Sequence, residues 1–482
     1  MAMNREELLK LTKEEAIDYL LSVIADMAAT IKAQSEKITE LEARLNQNSK
    51  NSSKPPSSDG FKKPKSLRKP SDKKPGGQYG HEGSGLKLMN EPDTYIMHEP
   101  KECACCPHTH QCRADAAVQE TRYEIDITIV TNTRAHQIIQ KLCPLALKVL
   151  TGCFPHDIHS TVQYGANLEA LAVSLNTVGV VSINRTHEIL SGVFGVPISC
   201  GTISAMVSGC ARKVSAAVQA IKEAVISEPI LHTDETGSRV DGRTAWAHTA
   251  GTDKLTYIAV HENRGKKGMD AVGVLPLYRG TVIHDCWMPY FRYEDVRHGL
   301  CNAHLLRELT AVLENSKQAW AQALIDLLLK MKHTKEKLIL RNSLKPTPYY
   351  LKQYSCAYDG ILKQALKKNP VPAHDATQRG RPKRGTTGAL VDRLIAHKEK
   401  ILLFFTDFTV PFDNNQAERD IRMFKVKQKV SGCFRTMEGA HNFAAIMSFI
   451  GTARKHGLSA FHVIKDALIG NPFSINSLIA TE

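Results

Sequence analysis

The chain has 482 residues, 42% of them hydrophobic and 23% charged, with a formal net charge of +14 at pH 7 and a pI near 9.1. That length allows roughly two to four folding units, and 30 glycines added to the hydrophobic fraction give an ordinary globular apolar share, which excludes wholesale disorder. The cationic surplus points to a polyanionic partner, a nucleic acid or an acidic membrane surface.

No apolar run approaches the roughly 18 residues of a membrane span. The first residues, Met1 to Lys10, are charged and carry no apolar signal region. A soluble cytoplasmic chain with no membrane partner is therefore expected, its 12 cysteines reduced and available for metal only where they cluster.

In chain order, the first predicted element is a helix with a 3-4 apolar seam: Ile17, Ile24, Ile31, Ile38 and Leu45 on one position, Leu20, Met27, Gln34 and Leu41 on the other. Isoleucine on one position and mostly leucine or methionine on the other favours a parallel two-stranded coil, hence a homo-oligomer through residues 1–46. The competing account is a single amphipathic helix packed on its own domain. Residues 47–95 read as a polar, basic linker. Between Lys50 and Lys74 it carries nine cations, among them Lys62, Lys63, Lys65, Arg68 and Lys69, against two acids. Such an arm can lie along DNA phosphates, or it can be a solvated tether.

Residues 96–155 hold the only cysteine cluster. Cys103 and Cys106 form a C-x2-C knuckle, and Cys143 is a candidate third zinc ligand. The second half-site is incomplete, since Ala146 stands where a fourth cysteine would, leaving His108, His110, Cys112 or Cys153 as substitutes. Alternation from Tyr123 to Ile139 predicts strands.

Helical patterns fill residues 156–226. A strand ending at Asp234 is then expected, with Thr244 to Thr249 and Lys254 to Val260 pairing with it, a helix over Met269 to Tyr278, and a strand from Thr281 ending at Asp285. Leu300 to Leu340 and Leu351 to Lys368 read as helices. Arg379 to Arg384 forms a second basic loop, and the segment Val410 to Arg422 opens a further helix.

Two strand-end aspartates in one sheet and a glutamate from a helix packed on it make an oxygen-ligand set for hard cations. Asp234, Asp285 and Glu418 fit that description. Two Mg²⁺ ions in such a site, about 3.5–4 Å apart, would activate the attacking oxygen and stabilise the leaving oxygen of a phosphoryl displacement. Each acid has a bland alternative: Glu418 as a capping-box partner, Asp234 as a strand-ending turn, Asp285 as the cap of a helix near Met288. His232 reads as a strand histidine satisfied by a neighbour, and Cys301 with His304 as a structural pair. Arg419, Arg422, Lys425, Lys427 and Lys429 are candidate phosphate contacts.

The chain resembles the IS66-type transposases, a branch of the DDE transposases with a ribonuclease-H-like core. The resemblance rests on Asn48 to Asp59, Tyr164-Gly165, Ile198 to Ile203, His232-Thr233-Asp234-Glu235-Thr236-Gly237, Cys301 to Arg307 and Asp413-Asn414-Asn415-Gln416-Ala417-Glu418-Arg419. It implies Asp234, Asp285 and Glu418 as the catalytic, metal-binding triad with Mg²⁺ or Mn²⁺. It also implies element-end and target DNA as partners, accessory proteins of the same element, and a bacterial cytoplasmic location with nucleoid association. The context His284-Asp285-Cys286-Trp287 departs from the usual serine-aspartate-glycine of the family.

The expected fold class is thus multidomain α+β: an N-terminal coiled coil, a small zinc-finger-like module, a helical domain, and a C-terminal helical tail over 451–482. Between the last two lies a ribonuclease-H-like mixed-sheet core over 227–450, with a large helical insertion near 305–397. A metal-dependent nuclease without strand transfer and an inactive DNA-binding relative are the rival functions.

Overall fold

The computed structural model describes residues 12–52 and 91–479, except 49, 99–105, 108–110, 112, 114–116, 128, 146, 156 and 372–383. Helix α1 (Lys13–Leu45) starts at a capping box in which Thr12 and Glu15 satisfy each other's backbone N–H groups. Its seam residues Ile17, Ile24, Ile31 and Ile38 are 55–63% exposed in the single chain. Just beyond the helix, Asn51 is buried and its Nδ2 donates to Glu314 Oε2 at 2.7 Å.

The strands expected over Tyr123 to Ile139 do not form among the described residues; the ladder lies further on, where β1 (Gln140–Cys143) pairs antiparallel with β2 (Lys148–Thr151). Ile125, Ile127 and Ile129 alternate as apolar residues but stay exposed. Alternation makes a strand only where a second strand and a covering layer exist. Cys103 lies outside the described residues, Cys106 is exposed and Cys143 is half-buried.

Four helices follow, α2 (Ala166–Thr177), α3 (Ile183–Gly192), α4 (Cys200–Lys213) and α5 (Ser215–Ser227). Ser182 and Ser199 cap α3 and α4 through their hydroxyls. Then comes a five-stranded mixed sheet of order β5-β4-β3-β6-β7: β3 (Ile230–Val240), β4 (Arg243–Gly251), β5 (Thr256–His261), β6 (Thr281–His284) and β7 (Arg297–Leu300). The first three are antiparallel in sequence order, whereas β6 and β7 run parallel to β3.

Four features differ from the sequence expectation. β3 does not end at Asp234 but continues to Val240, because β4 pairs with it from His232 to Val240 and returns through Asp241-Gly242, both with positive φ (47° and 71°), as a two-residue hairpin turn requires. β5 pairs with β4 alone. The helix α6 (Lys266–Val272) stops early, at Gly273 in the left-handed conformation. β7 was not anticipated; four residues, Arg-His-Gly-Leu, carry too little alternation to announce a strand.

Five helices occupy the described residues from Asn302 to Thr406: α7 (Asn302–Ser316), α8 (Ala319–Leu340), α9 (Pro348–Lys368), α10 (Gly385–Ala396) and α11 (Lys398–Thr406). They enclose their own core around Trp320, Tyr358, Phe404 and Phe405, with Ile283 and Leu300 joining it to the sheet. α12 (Asn415–Ser431) and α13 (Met437–Lys455) then cover one sheet face, burying Ile421, Phe424 and Phe443 against Ala245, Ala247 and Ile258. α5 and α6 bury Ile221 and Met269 with Leu231 and Val282. Finally α14 (Ala460–Leu468) packs with α2, α4 and α13 in one cluster that includes Leu190, Ile203, Phe449 and Ile464, and the short α15 (Ile475–Ile479) follows. The boundary expected at 450 therefore falls inside α13, and the helices of 156–226 share a core with the last helices of the chain.

Candidate active site

The register of β3 and β6 builds the site. Ile230 faces Thr281 and His232 faces Ile283, and there the pairing stops. Two residues further, the same register brings Asp234 level with Asp285, the first residue after β6. On its other side Asp234 is held opposite Thr249. Burial, and next the negative charges of Glu235, Asp285 and Glu418, keep the Asp234 proton well above the usual carboxylate range, against the N–H of Glu235 donated to Oδ1 at 2.9 Å. Asp285 accepts the Trp287 N–H at 3.1 Å without capping the short helix that begins at Met288, whose N-cap is Trp287, and lines a small pocket with Cys301, His304 and Glu308.

Glu418 comes from the first turn of α12, and the capping-box alternative is not realised. The N-cap residue is Asn414, whose side chain bonds no N–H of its own helix. Instead its Nδ2 donates to the Thr233 carbonyl at 2.7 Å, its Oδ1 meets His232 Nδ1 at 2.8 Å, and its backbone N–H donates to Cys301 Sγ at 3.1 Å. Glu418 pairs with Arg307 Nη2 at 3.3 Å and lies 3.7 Å from His304 Nε2. Burial, then the Arg307 charge, lowers the His304 pKa, so the guanidinium is the cation that Glu418 meets at neutral pH. Burial also pushes the Cys301 thiol up to about 12, which keeps it protonated.

The sequence reading missed Glu235, Arg307 and the bonding of Asn414. Glu235 is almost wholly buried: Arg264 donates to Oε1 through Nη2 and Nε at 2.7 and 3.0 Å, and Tyr290 donates its hydroxyl to Oε2 at 2.6 Å. Burial nevertheless raises the carboxyl to about 7. Arg264 is stacked between Trp287 and Trp246, 4.0 and 4.9 Å from the rings. An acid beside Asp234 was visible in the sequence; the distant arginine that holds it was not.

Arg419 and Arg422 are exposed on α12. Lys425 is half-buried and donates to the Gly237 carbonyl at 2.9 Å. Lys427 is buried, donating to Asn176 O at 3.2 Å with its pKa lowered by burial to about 8, which removes it from the candidate DNA contacts. Alternation over 425–429 would share a face in a strand, but these residues are helical, and two positions turn a helix by roughly 200°. Lys62, Lys63, Lys65, Arg68 and Lys69 lie outside the described residues.

The donors of Asp234, Asp285 and Glu418 are all carboxylate oxygens, which suit Mg²⁺ or Mn²⁺, and the mutual repulsion felt at Asp234 is what a cation would relieve. Among the described residues no group of three His, Cys, Asp or Glu side chains is placed to hold a metal ion.

Fold and site together define a multidomain α+β protein with a cluster of acids at the point where two parallel strands part. The chain belongs to the IS66 transposase family, whose model matches residues 161–442. That match spans the sheet, the helices between β7 and α12, and all three acids. A family of unknown function matches residues 4–87. The chain is also similar to the uncharacterized protein y4jO of Sinorhizobium fredii (strain NBRC 101917 / NGR234), 27% identical over 143 residues that make up 27% of this chain and 44% of that protein. It thus spans less than half the length of that relative. Among the described residues no helix is long and apolar enough to cross a membrane.

Proposed function

We propose that this protein is a DNA transposase of an insertion sequence, which binds the ends of its element, cleaves DNA at Asp234, Asp285 and Glu418, and joins the 3′-hydroxyl to target DNA. The observation that carries this is the register that sets Asp234 beside Asp285, with Glu418 electrostatically coupled to the same carboxyl. The sheet order, with β3 at the junction of antiparallel and parallel halves, supports a ribonuclease-H-like core over 227–450 carrying a helical insertion.

Asp234, Asp285 and Glu418 would hold Mg²⁺ or Mn²⁺, which when bound supplies nucleophile activation and leaving-group stabilisation. The protein's own part is positional. β4 fixes one flank of Asp234, the turn at Trp287 orients Asp285, and Arg307 restrains Glu418. Exposed Arg419 and Arg422, with Lys425 beside them, offer charge for DNA phosphates along α12. The arm at Lys62, Lys63, Lys65, Arg68 and Lys69 would grip the duplex, α1 would pair two subunits, and Cys103, Cys106 and Cys143 would belong to a zinc-finger-like module. Accessory proteins of the same element are proposed partners, and the bacterial cytoplasm the location.

Asp234→Ala, Asp285→Ala and Glu418→Ala should each lower cleavage of an element-end duplex in Mg²⁺ by about three orders of magnitude while DNA affinity holds. Undiminished cleavage by any one of them removes that residue from the site. Joining of a pre-nicked end to target DNA separates a transposase from a nuclease that only cuts.

A further inference from the structure

The bonding of Asn414 assigns it a task that the three acids alone do not fulfil. The Thr233 carbonyl can only accept, so the atom of Asn414 that meets it at 2.7 Å is the amide nitrogen. The oxygen of the same amide must then face His232 Nδ1 at 2.8 Å, and that ring nitrogen must carry the proton. With Cys301 Sγ accepting its backbone N–H, Asn414 is fixed by three contacts and is 1% exposed. Thr233 immediately precedes Asp234 in β3, and Glu418 lies one helical turn beyond Asn414. A second crossing, Asn302 N–H to the Phe412 carbonyl at 3.0 Å, ties the start of α7 to the same segment.

We infer that Asn414 is a positioning residue, which sets Glu418 against Asp234 by pinning the start of α12 to β3, and that His232 orients its amide. This rests on the reading of Asp234, Asp285 and Glu418 as the cleaving acids. Nothing in the role requires His232 to touch DNA or metal. It requires only a donor at the Nδ1 position, which the Nδ2 of an asparagine reproduces.

The experiment compares full-length wild type with Asn414→Ala, His232→Leu, His232→Asn and Asp234→Asn. Three quantities are read: the cleavage rate at saturating element-end DNA, the Kd for that DNA in Ca²⁺, and the rise in unfolding midpoint on adding Mn²⁺. Asn414→Ala should cut about 10- to 100-fold more slowly, with Kd unchanged and a smaller Mn²⁺-dependent rise. His232→Leu should fall in the same way and His232→Asn should recover most of the rate, a pair that decides the matter even if Asn414→Ala does not fold. Equal losses in His232→Leu and His232→Asn would overturn the proposed orienting role, as would a wild-type rate in Asn414→Ala while Asp234→Asn is inactive. A wild-type rate in Asp234→Asn would instead overturn the acid reading, and the positioning role with it.

Discussion

Asp234 and Glu235 occupy consecutive positions of β3 and therefore project from opposite faces of the sheet, yet burial raises both carboxyl groups. For Glu235, raised from 4.5 to about 7, the folded state holds the proton more tightly than the unfolded chain. Its stabilising contribution is complete below about pH 4.5 and is lost as pH rises through about 7, a total of about 3 kcal/mol. Urea unfolding at pH 5 and pH 8 should show that decline in the wild type and a flatter profile in Glu235→Gln, whose amide oxygen still accepts from Arg264 while its NH2 donates to the Tyr290 hydroxyl oxygen. Asp234 predicts a separate effect: since a bound cation requires the carboxylate, Mn²⁺ binding should release protons, and its affinity should rise with pH. Calorimetry in buffers of different ionisation enthalpy measures that release; a heat independent of buffer would contradict it. Asp285 and Glu418 were legible as acids because a carboxylate at a strand end or a helix start is a local pattern, whereas Asp234, taken for a strand end, lies inside β3. Arg307 and Arg264 were not, since each finds its carboxylate, 111 and 29 residues away, only after the chain has folded.

At the scale of elements, α12 is anchored at two levels. Asn414 ties its start to β3, and nearly two turns on Asp420 meets Lys455 of α13 at 2.7 Å, a pair in which both side chains are nearly buried. Lys455 also donates to the Thr252 and Leu255 carbonyls at the β4–β5 turn, both at 2.7 Å. Burial works against both charges, raising Asp420 and lowering Lys455, so the pair is secured by geometry more than by net energy. Lys455→Met should cost about 3–5 kcal/mol, because it strands the Asp420 carboxylate and two carbonyls. The double change with Asp420→Leu should cost less than the single one, as chemical unfolding can show. α1 makes the contrasting case: its apolar seam is exposed in one copy and predicts association. Ile24→Lys with Ile31→Lys should turn a dimer into a monomer in sedimentation, whereas an unchanged mass would assign the seam elsewhere.

At the scale of the molecule, the mixed sheet and the helical block before α12 were legible because each long element carries its own period. β7, the early stop of α6 and the shared core of α2–α5 with α13–α14 were not, since they depend on short segments and on contacts between distant parts of the chain. The charge has two locations, the linker arm and the outer side of α12. Replacing Lys62, Lys63, Lys65, Arg68 and Lys69 by glutamine should reduce the slope of log affinity against log salt by about 4.5 if each neutralises one phosphate. Arg422→Gln should instead change it by about 1. The interleaving of the first and last helices in one core also orders events during synthesis. Helices α2–α5 emerge early but bury Leu190 and Ile203 fully only when Phe449 and Ile464 arrive, after Glu418. A chain still on the ribosome is thus an incomplete fold whose shared core closes with its last helices. Under the proposed function, cutting would therefore be confined to molecules whose translation has run nearly to the end.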